Sequence, residues 1–294
     1  MREKKHTLML VGCLLLALLI TGCTSSETEG SRETEDLEQV AEVQTDGEVT
    51  IAEKILVDQN GIVITATEYT TDSVWGDGIK LLIENNSDVN VTVSCKALIV
   101  NDYMISDLFV SEVAAGKKAN ETMYLSNSGL EEAGIDTVGK VEVAFRVYDS
   151  ATYSDIFATD LITIQTSAFE SMDTVPDDTG EELYNAGGIR IVGRAVDHND
   201  FWGTAILLYI ENNSGTNVTI SCDDLSVNGF MMTPYFSSSV YNGKKAIDDI
   251  TLMSSELEAN GIKKVGEVEC QFRIYETDTY QTINETNPIT FSAQ

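Results

Sequence analysis

The chain has 294 residues, 48 acidic against 18 basic side chains, and a formal net charge of -30; 43% of it is hydrophobic and 7% aromatic. That apolar fraction is ordinary for folded protein, and the length suits two domains of about 110 residues beyond a leader and spacer. So negative a surface repels nucleic acid and anionic headgroups, whose capture depends on Lys and Arg releasing counterions, and nucleic acid is therefore excluded as a partner.

The chain begins Met1-Arg2-Glu3-Lys4-Lys5-His6, a basic stretch, and residues 7–22 are almost wholly apolar or small. This pattern reads as an export signal, too short for the roughly 20 apolar residues of a spanning helix. It closes on Ile20-Thr21-Gly22-Cys23, which resembles the lipobox of bacterial lipoproteins. That resemblance implies that Cys23 carries lipid and becomes the mature N-terminus. Two or three acyl chains anchor a protein stably where one does not, so the expected location is the extracytoplasmic face of a cell membrane. Removing residues 1–22 leaves 15 basic and 47 acidic side chains, a net of -32.

Residues 23–58 follow as a lipid-anchored acidic linker, with Glu27, Glu29, Glu33 and Glu35 among its charges. Chain of this kind has too little apolar surface to fold, and self-repulsion extends it, so it reads as a disordered spacer.

Beyond it the chain repeats. Displacement by 127 residues lays 61–166 on 188–293 without a gap, matching Trp75-Gly76 to Trp202-Gly203 and Asn90-Val91-Thr92-Val93-Ser94-Cys95 to Asn217-Val218-Thr219-Ile220-Ser221-Cys222. Two domains follow, 59–168 and 186–294, joined by a linker at 169–185 around Pro176-Asp177-Asp178.

Within each copy apolar residues alternate, as in Ile79, Leu81 and Ile83, or Val141, Val143, Phe145 and Val147. Period two predicts half-buried strands over 62–69, 79–84, 90–95, 98–101, 119–125, 141–148 and 161–166. Asn85-Asn86-Ser87 is expected to turn a hairpin between the second and third, because asparagine tolerates positive φ. Ser128 to Gly134 reads as one short helix with a serine cap, early acidic residues and a terminating glycine, and 255–261 is its counterpart. The fold class is therefore all-β: two tandem immunoglobulin-like antiparallel β-sandwiches, each with one short helix.

The Gly-Ile strand, the Glu-Asn-Asn-Ser turn, Asn-Val-Thr-Val-Ser-Cys, and Leu130-Glu131-Glu132-Ala133-Gly134-Ile135 before Phe145-Arg146-Val147-Tyr148 together resemble Firmicute surface lipoproteins of unknown function. Those are distantly similar in fold to an immunoglobulin-like secreted mycobacterial antigen. The resemblance covers both repeats and the lipobox. It implies a fold and a Gram-positive setting, and it offers no catalytic residue.

Chemistry is sparse. His198 is the one histidine beyond the leader, and its repeat partner is Thr71, so no histidine triad or histidine metal cluster can stand in both copies. Glu84, Glu142, Glu211 and Glu269 fall on outward strand positions and read as solvated, paired charge, with Glu84 or Glu142 facing Arg146. Calcium is an open cofactor, since Asp72, Ser73 and Asp77, or Asn199 and Asp200, supply oxygens, but neither group has EF-hand spacing. Cys222 and Cys270 point inward, leaving open a disulfide between the sheets or two buried thiols. Thiols are preferred, because Val143 replaces Cys270 in the first copy, which folds without a bridge.

Trp75 and Trp202 either offer an aromatic to a sugar ring or peptide or close the sandwich ends, the second being preferred. Tyr103 and Met104, with Phe230 and Met231, form a further candidate contact surface, because exposed Met and aromatic side chains adapt to partners. The resulting expectation is a membrane-anchored lipoprotein, not an enzyme, whose two sandwiches bind a protein or cell-envelope ligand or act as a structural spacer. Two alternatives are a carboxylate-based cell-envelope hydrolase, which needs a deep cleft with two perturbed acids, and a solute- or calcium-binding lipoprotein, which needs a pocket between the repeats.

Overall fold

The computed structural model describes residues 48–106, 108–173, 175–197 and 203–292. The leader, Cys23, the acidic stretch to residue 47, His198, Asn199, Asp200 and Trp202 lie outside the described residues.

Copy 1 is built from β1 (Lys54–Gln59), β2 (Ile62–Asp72), β3 (Gly76–Asn85), β4 (Val91–Val100), β5 (Tyr103–Met104), β6 (Val110–Val113), β7 (Lys118–Tyr124), α1 (Asn127–Glu132), β8 (Lys140–Asp149), β9 (Asp155–Ala158) and β10 (Ile162–Gln165). Copy 2 repeats the series as β11 (Glu181–Ala186), β12 (Ile189–Asp197), β13 (Gly203–Asn212), β14 (Val218–Val227), β15 (Phe230–Met231), β16 (Ser237–Val240), β17 (Lys244–Met253), α2 (Ser254–Ala259), β18 (Glu267–Glu276), β19 (Thr282–Glu285) and β20 (Ile289–Ser292). The displacement of 127 residues holds through the series, with Glu181 opening β11 as Lys54 opens β1; β17 alone starts one residue early.

Each copy is a sandwich of antiparallel sheets. In copy 1 the order β1-β2-β3-β7 faces a sheet built on the β4–β8 pair, with β5 and β6 beside β4 and β9 and β10 beside β8. Copy 2 has β11-β12-β13-β17 facing a sheet built on β14 and β18. Alternation drives this layering, because every second side chain turns inward: Ile64, Leu81 and Ile83 meet Val93, Val143 and Phe145, and all six are buried. Each such side chain contributes about 1.5–3 kcal/mol by leaving water. In copy 2 the corresponding core holds Ile191, Leu208, Ile210, Ile220, Cys270 and Phe272.

The structure departs from expectation in four places. Residues 90–101, expected as two strands, form the single strand β4, bent by a bulge between Cys95 and Ala97. Asn85-Asn86-Ser87 does not turn a hairpin, because β3 and β4 lie in different sheets; the segment is an arch between layers. Strands β1 and β11 occupy sequence assigned to the acidic linker and the inter-repeat linker, where Val57 and Leu183 each reach the core. The first helix is capped by Ser126, whose Oγ accepts from Gly129 N at 3.3 Å, rather than by Ser128.

The copies also join each other. β5 of copy 1 pairs in parallel with β17 of copy 2 at Tyr103 and Lys245, so one sheet of ten strands runs from copy 1 into copy 2. Lys245 N donates to Asp102 O at 2.9 Å. Beside that bond Lys244 Nζ lies 2.6 Å from Asp102 Oδ1 and 2.5 Å from Glu142 Oε2, and Lys140 Nζ lies 2.7 Å from Asp102. Val192 and Tyr209, from the outer face of copy 2, pack into the core of copy 1.

Candidate functional site

The Trp75 loop is built from its backbone outward. Asp72 Oδ1 accepts from Val74 N at 2.7 Å and from Trp75 N at 2.9 Å, an Asx turn that holds the Asp72 carboxyl below its usual range. Gly76 follows at φ +76°, and a Cβ there would fall 1.8 Å from Asn127 Oδ1, so neither the backbone nor the space admits a larger residue.

The loop presents Trp75 to solvent rather than closing the sandwich: Trp75 is 64% exposed, Val74 73% and Leu108 99%. Its indole ring stands 6.1 Å from the Tyr124 ring. Val74, Trp75, Leu108, Phe109, Tyr124 and Asn127 line a concavity of about 550 Å³. Copy 2 differs here. Tyr235, the counterpart of Leu108, bridges to Thr251, the counterpart of Tyr124, with Thr251 N donating to Tyr235 O at 3.1 Å.

A second concavity, of about 470 Å³, lies between the copies, with Met104, Ser128 and Glu132 on one side and Ser238, Asp248 and Asp249 on the other. Burial raises the pKa of Asp248, and burial together with Asp249, Asp248 and Asp197 raises that of Glu132. Sequence pattern missed this acidic wall because Asp248 and Asp249 replace Glu121 and Thr122, and Glu132 comes from the other copy.

The remaining predicted residues disperse. Tyr103 is buried at the junction under the Lys245 ammonium, 5.4 Å from its ring centroid, and Met104 packs against the core of copy 2. Their counterparts Phe230 and Met231 stand 46% and 66% exposed. Glu142 is not solvated; it sits among Lys140 and Lys244 in the junction. Glu84 pairs with Lys118, while Arg146 pairs with Asp155 at 2.6 Å, because Glu84 belongs to the opposite sheet.

Cys222 and Cys270 are free and buried, and they lie on adjacent strands of one sheet rather than across two sheets. A hydrogen bond with Cys270 and burial both push the Cys222 thiol pKa up. Cys95 Sγ donates to Met123 Sδ at 3.5 Å.

For calcium, Asp72 is committed to amides, and Asp77 accepts from Thr71 Oγ1 at 2.6 Å and hydrogen-bonds with the buried Tyr69. Among the described residues no three His, Cys, Asp or Glu side chains gather as a ligand set, and no helix is long and apolar enough to cross a membrane.

No family model and no curated protein matches the chain. Among solved structures it is similar to the Salmonella enterica SafA pilin in complex with the SafB chaperone, at 13% identity and TM-score 0.20, over 73% of this chain and 88% of that one. It is also similar to a protein of unknown function from Porphyromonas gingivalis W83, at 10% identity and TM-score 0.21, over 74% and 90%. At such TM-scores neither neighbour bears on function.

Proposed function

We propose that this protein is a non-catalytic lipoprotein, anchored through Cys23 on the extracytoplasmic face of a Gram-positive-type membrane. On this reading the Trp75 concavity of copy 1 takes an apolar or aromatic segment of a protein or cell-envelope ligand. One observation carries it: Val74, Trp75 and Leu108 stand together in solvent around a space of ligand size. Exposed apolar side chains scattered singly need no explanation, but a rimmed cluster in a concavity of this size is typical of a binding site.

The test is isothermal titration of the full chain in detergent with a panel of apolar peptides and muropeptide fragments. Trp75→Ala is expected to weaken binding at least tenfold at unchanged melting temperature, since the side chain is exposed. Binding that survives Trp75→Ala intact sinks the reading. The anchor has its own test: Cys23→Ala should abolish incorporation of an alkyne fatty acid and release the protein from the membrane fraction, and retention of both label and membrane association refutes it.

A second reading places a cationic solute in the acidic concavity between the copies. Burial raises both Glu132 and Asp248, and repulsion from Asp249, Asp248 and Asp197 adds to the shift of Glu132, a repulsion that a cation in the concavity would relieve. A carboxylate hydrolase needs one raised acid beside one readily ionised partner, so two acids shifted the same way favour binding over hydrolysis. Spermidine and calcium titrations with Asp248→Asn decide this, the expected result being loss of any cation-induced thermal stabilisation.

A further inference from the structure

The junction between the copies is made from two unlike faces, and each copy carries both. Copy 1 contributes a turn, Asn101-Asp102-Tyr103, between β4 and β5; copy 2 contributes the start of the β17 edge, Lys244-Lys245. The counterpart of the turn in copy 2 is Asn228-Gly229-Phe230, and the counterpart of the edge in copy 1 is Lys117-Lys118 on β7. An interface of this heterologous kind leaves one unlike face free at each end, and further copies can add there head to tail.

The unused turn is shaped as the used one is, and on the unused edge Thr65 and Leu82 stand where copy 2 has Val192 and Tyr209. In the turns, Asn101 and Asn228 have φ of 47° and 51°. Asn101 Nδ2 donates to Thr137 O at 2.8 Å while its Oδ1 accepts from Gly139 N and Lys140 N; Asn228 Nδ2 donates to Lys264 O at 2.9 Å while its Oδ1 accepts from Gly266 N and Glu267 N. The turn of copy 2 is therefore held ready, and it carries Phe230 and Met231 into solvent. On the other side β7 ends its sheet with no strand beside it among the described residues, whereas β17 has β5.

The chemistry is complementary too. Phe230 offers Lys118 the aromatic face that Tyr103 offers Lys245. Gly229 lacks the carboxylate of Asp102, but Glu267 stands where copy 1 has Lys140, and Glu269 where it has Glu142, so two carboxylates flank the turn. Lys118 now pairs with Glu84 at an exposed position, where such a pair is worth little and exchanges readily.

We propose that a second copy of this chain docks its β7 edge, at Lys117-Lys118, on the Phe230-Met231 turn of the first, continuing the internal junction into a head-to-tail array. By the register Tyr103–Lys245, residue 230 of one chain meets residue 118 of the next. Anchoring on one membrane raises the effective concentration that so polar a contact needs.

The experiment is disulfide trapping of full chains in membranes. A mixture of one chain bearing Phe230→Cys with another bearing Lys118→Cys should yield a cross-linked dimer under mild oxidation, and a chain bearing both substitutions should yield a ladder; wild-type chain sets the background. Introducing Glu267→Lys and Glu269→Lys into the Phe230→Cys chain should cut the dimer yield at least fivefold. Monomer alone from the doubly substituted chain, or homodimers from either single variant as abundant as the mixed dimer, overturns the proposal.

Discussion

Asn85 shows what a single buried amide does here. Its Nδ2 donates to Val89 O at 2.8 Å and Val113 O at 2.9 Å, and its Oδ1 accepts from Ser87 N and Ser87 Oγ, so one side chain ties the arch between the sheets. Asn212 makes the same bonds to Thr216, Val240 and Ser214. Asn85→Ala removes the side-chain donor to the buried Val113 carbonyl, while Val89 O keeps Ser87 Oγ at 3.2 Å, and should cost about 1–3 kcal/mol in urea unfolding. The position was legible in the sequence as part of a repeated Asn-Asn-Ser, but its role was not. A turn asparagine suggests positive φ, whereas this one acts through its side chain, and only the packed layers reveal that. The cysteines teach a related lesson: alternation located Cys222 and Cys270 as buried, while their sheet membership depends on pairing that alternation does not encode. Because Val143 fills the Cys270 site in copy 1, Cys270→Val should change stability by less than about 1.5 kcal/mol. Cys222 should resist maleimide at neutral pH until the protein is denatured, and labelling of the native protein would contradict its burial.

At the scale of elements, the strands with long alternating patterns were readable and, apart from β10, the short ones were not. β5, β6 and β9 span four residues or fewer, too few to establish a period, and β1 hides in acidic sequence. A cue for β1 was present in Asn60-Gly61, whose φ of 53° and 80° make the two-residue turn that best joins twisted antiparallel strands. Gly187-Gly188 does the same in copy 2, at φ 61° and 80°. Gly61→Ala should therefore destabilise copy 1 by about 1 kcal/mol or somewhat more, through positive-φ strain and the crowded approach of Ser87 N at 3.3 Å. Thermal melts compared with the open, exposed Gly116→Ala variant would separate the crowding from the strain, since both glycines have positive φ and only Gly61 has close neighbours. The Trp75 groove was half legible: Trp-Gly in a loop marked the residue, but its exposure follows from Asp72 and Asn127 shaping the turn.

For the whole molecule, duplication was the clearest sequence signal, yet the junction it creates was invisible because Asp102 and Lys140 meet Gly229 and Glu267 in register, while Lys244 matches Lys117 and so carries no mark of its own. Lys244 is raised because Asp102 and Glu142 outweigh the burial that opposes its charge, and Asp102 is lowered because Lys140 and Lys244 likewise outweigh burial. The signs set a window. The Asp102 contribution is complete above its unfolded pKa of about 3.9 and disappears as pH falls through the lower folded value. The Lys244 contribution is complete below about 10.4 and disappears as pH rises through the higher folded value. Calorimetry is expected to show the copies unfolding together at pH 7 and separately in acid, once Asp102 is protonated. Lys244→Met should produce the same separation at pH 7, leaving two carboxylates beside one lysine at a cost of about 2 kcal/mol, less than a fully buried pair because the groups keep some solvent.

The continuous sheet also gives the molecule a mechanical grain. Within each copy, long strands share many registered pairs, but between copies, among the described residues, strand pairing runs through the single pair Tyr103 and Lys245. A load applied across the two copies falls on that rung, its ionic cluster, the Lys96–Asp278 pair and the packing of Val192 and Tyr209. With so few ladder bonds to lose there, the junction is expected to part under load before either core does.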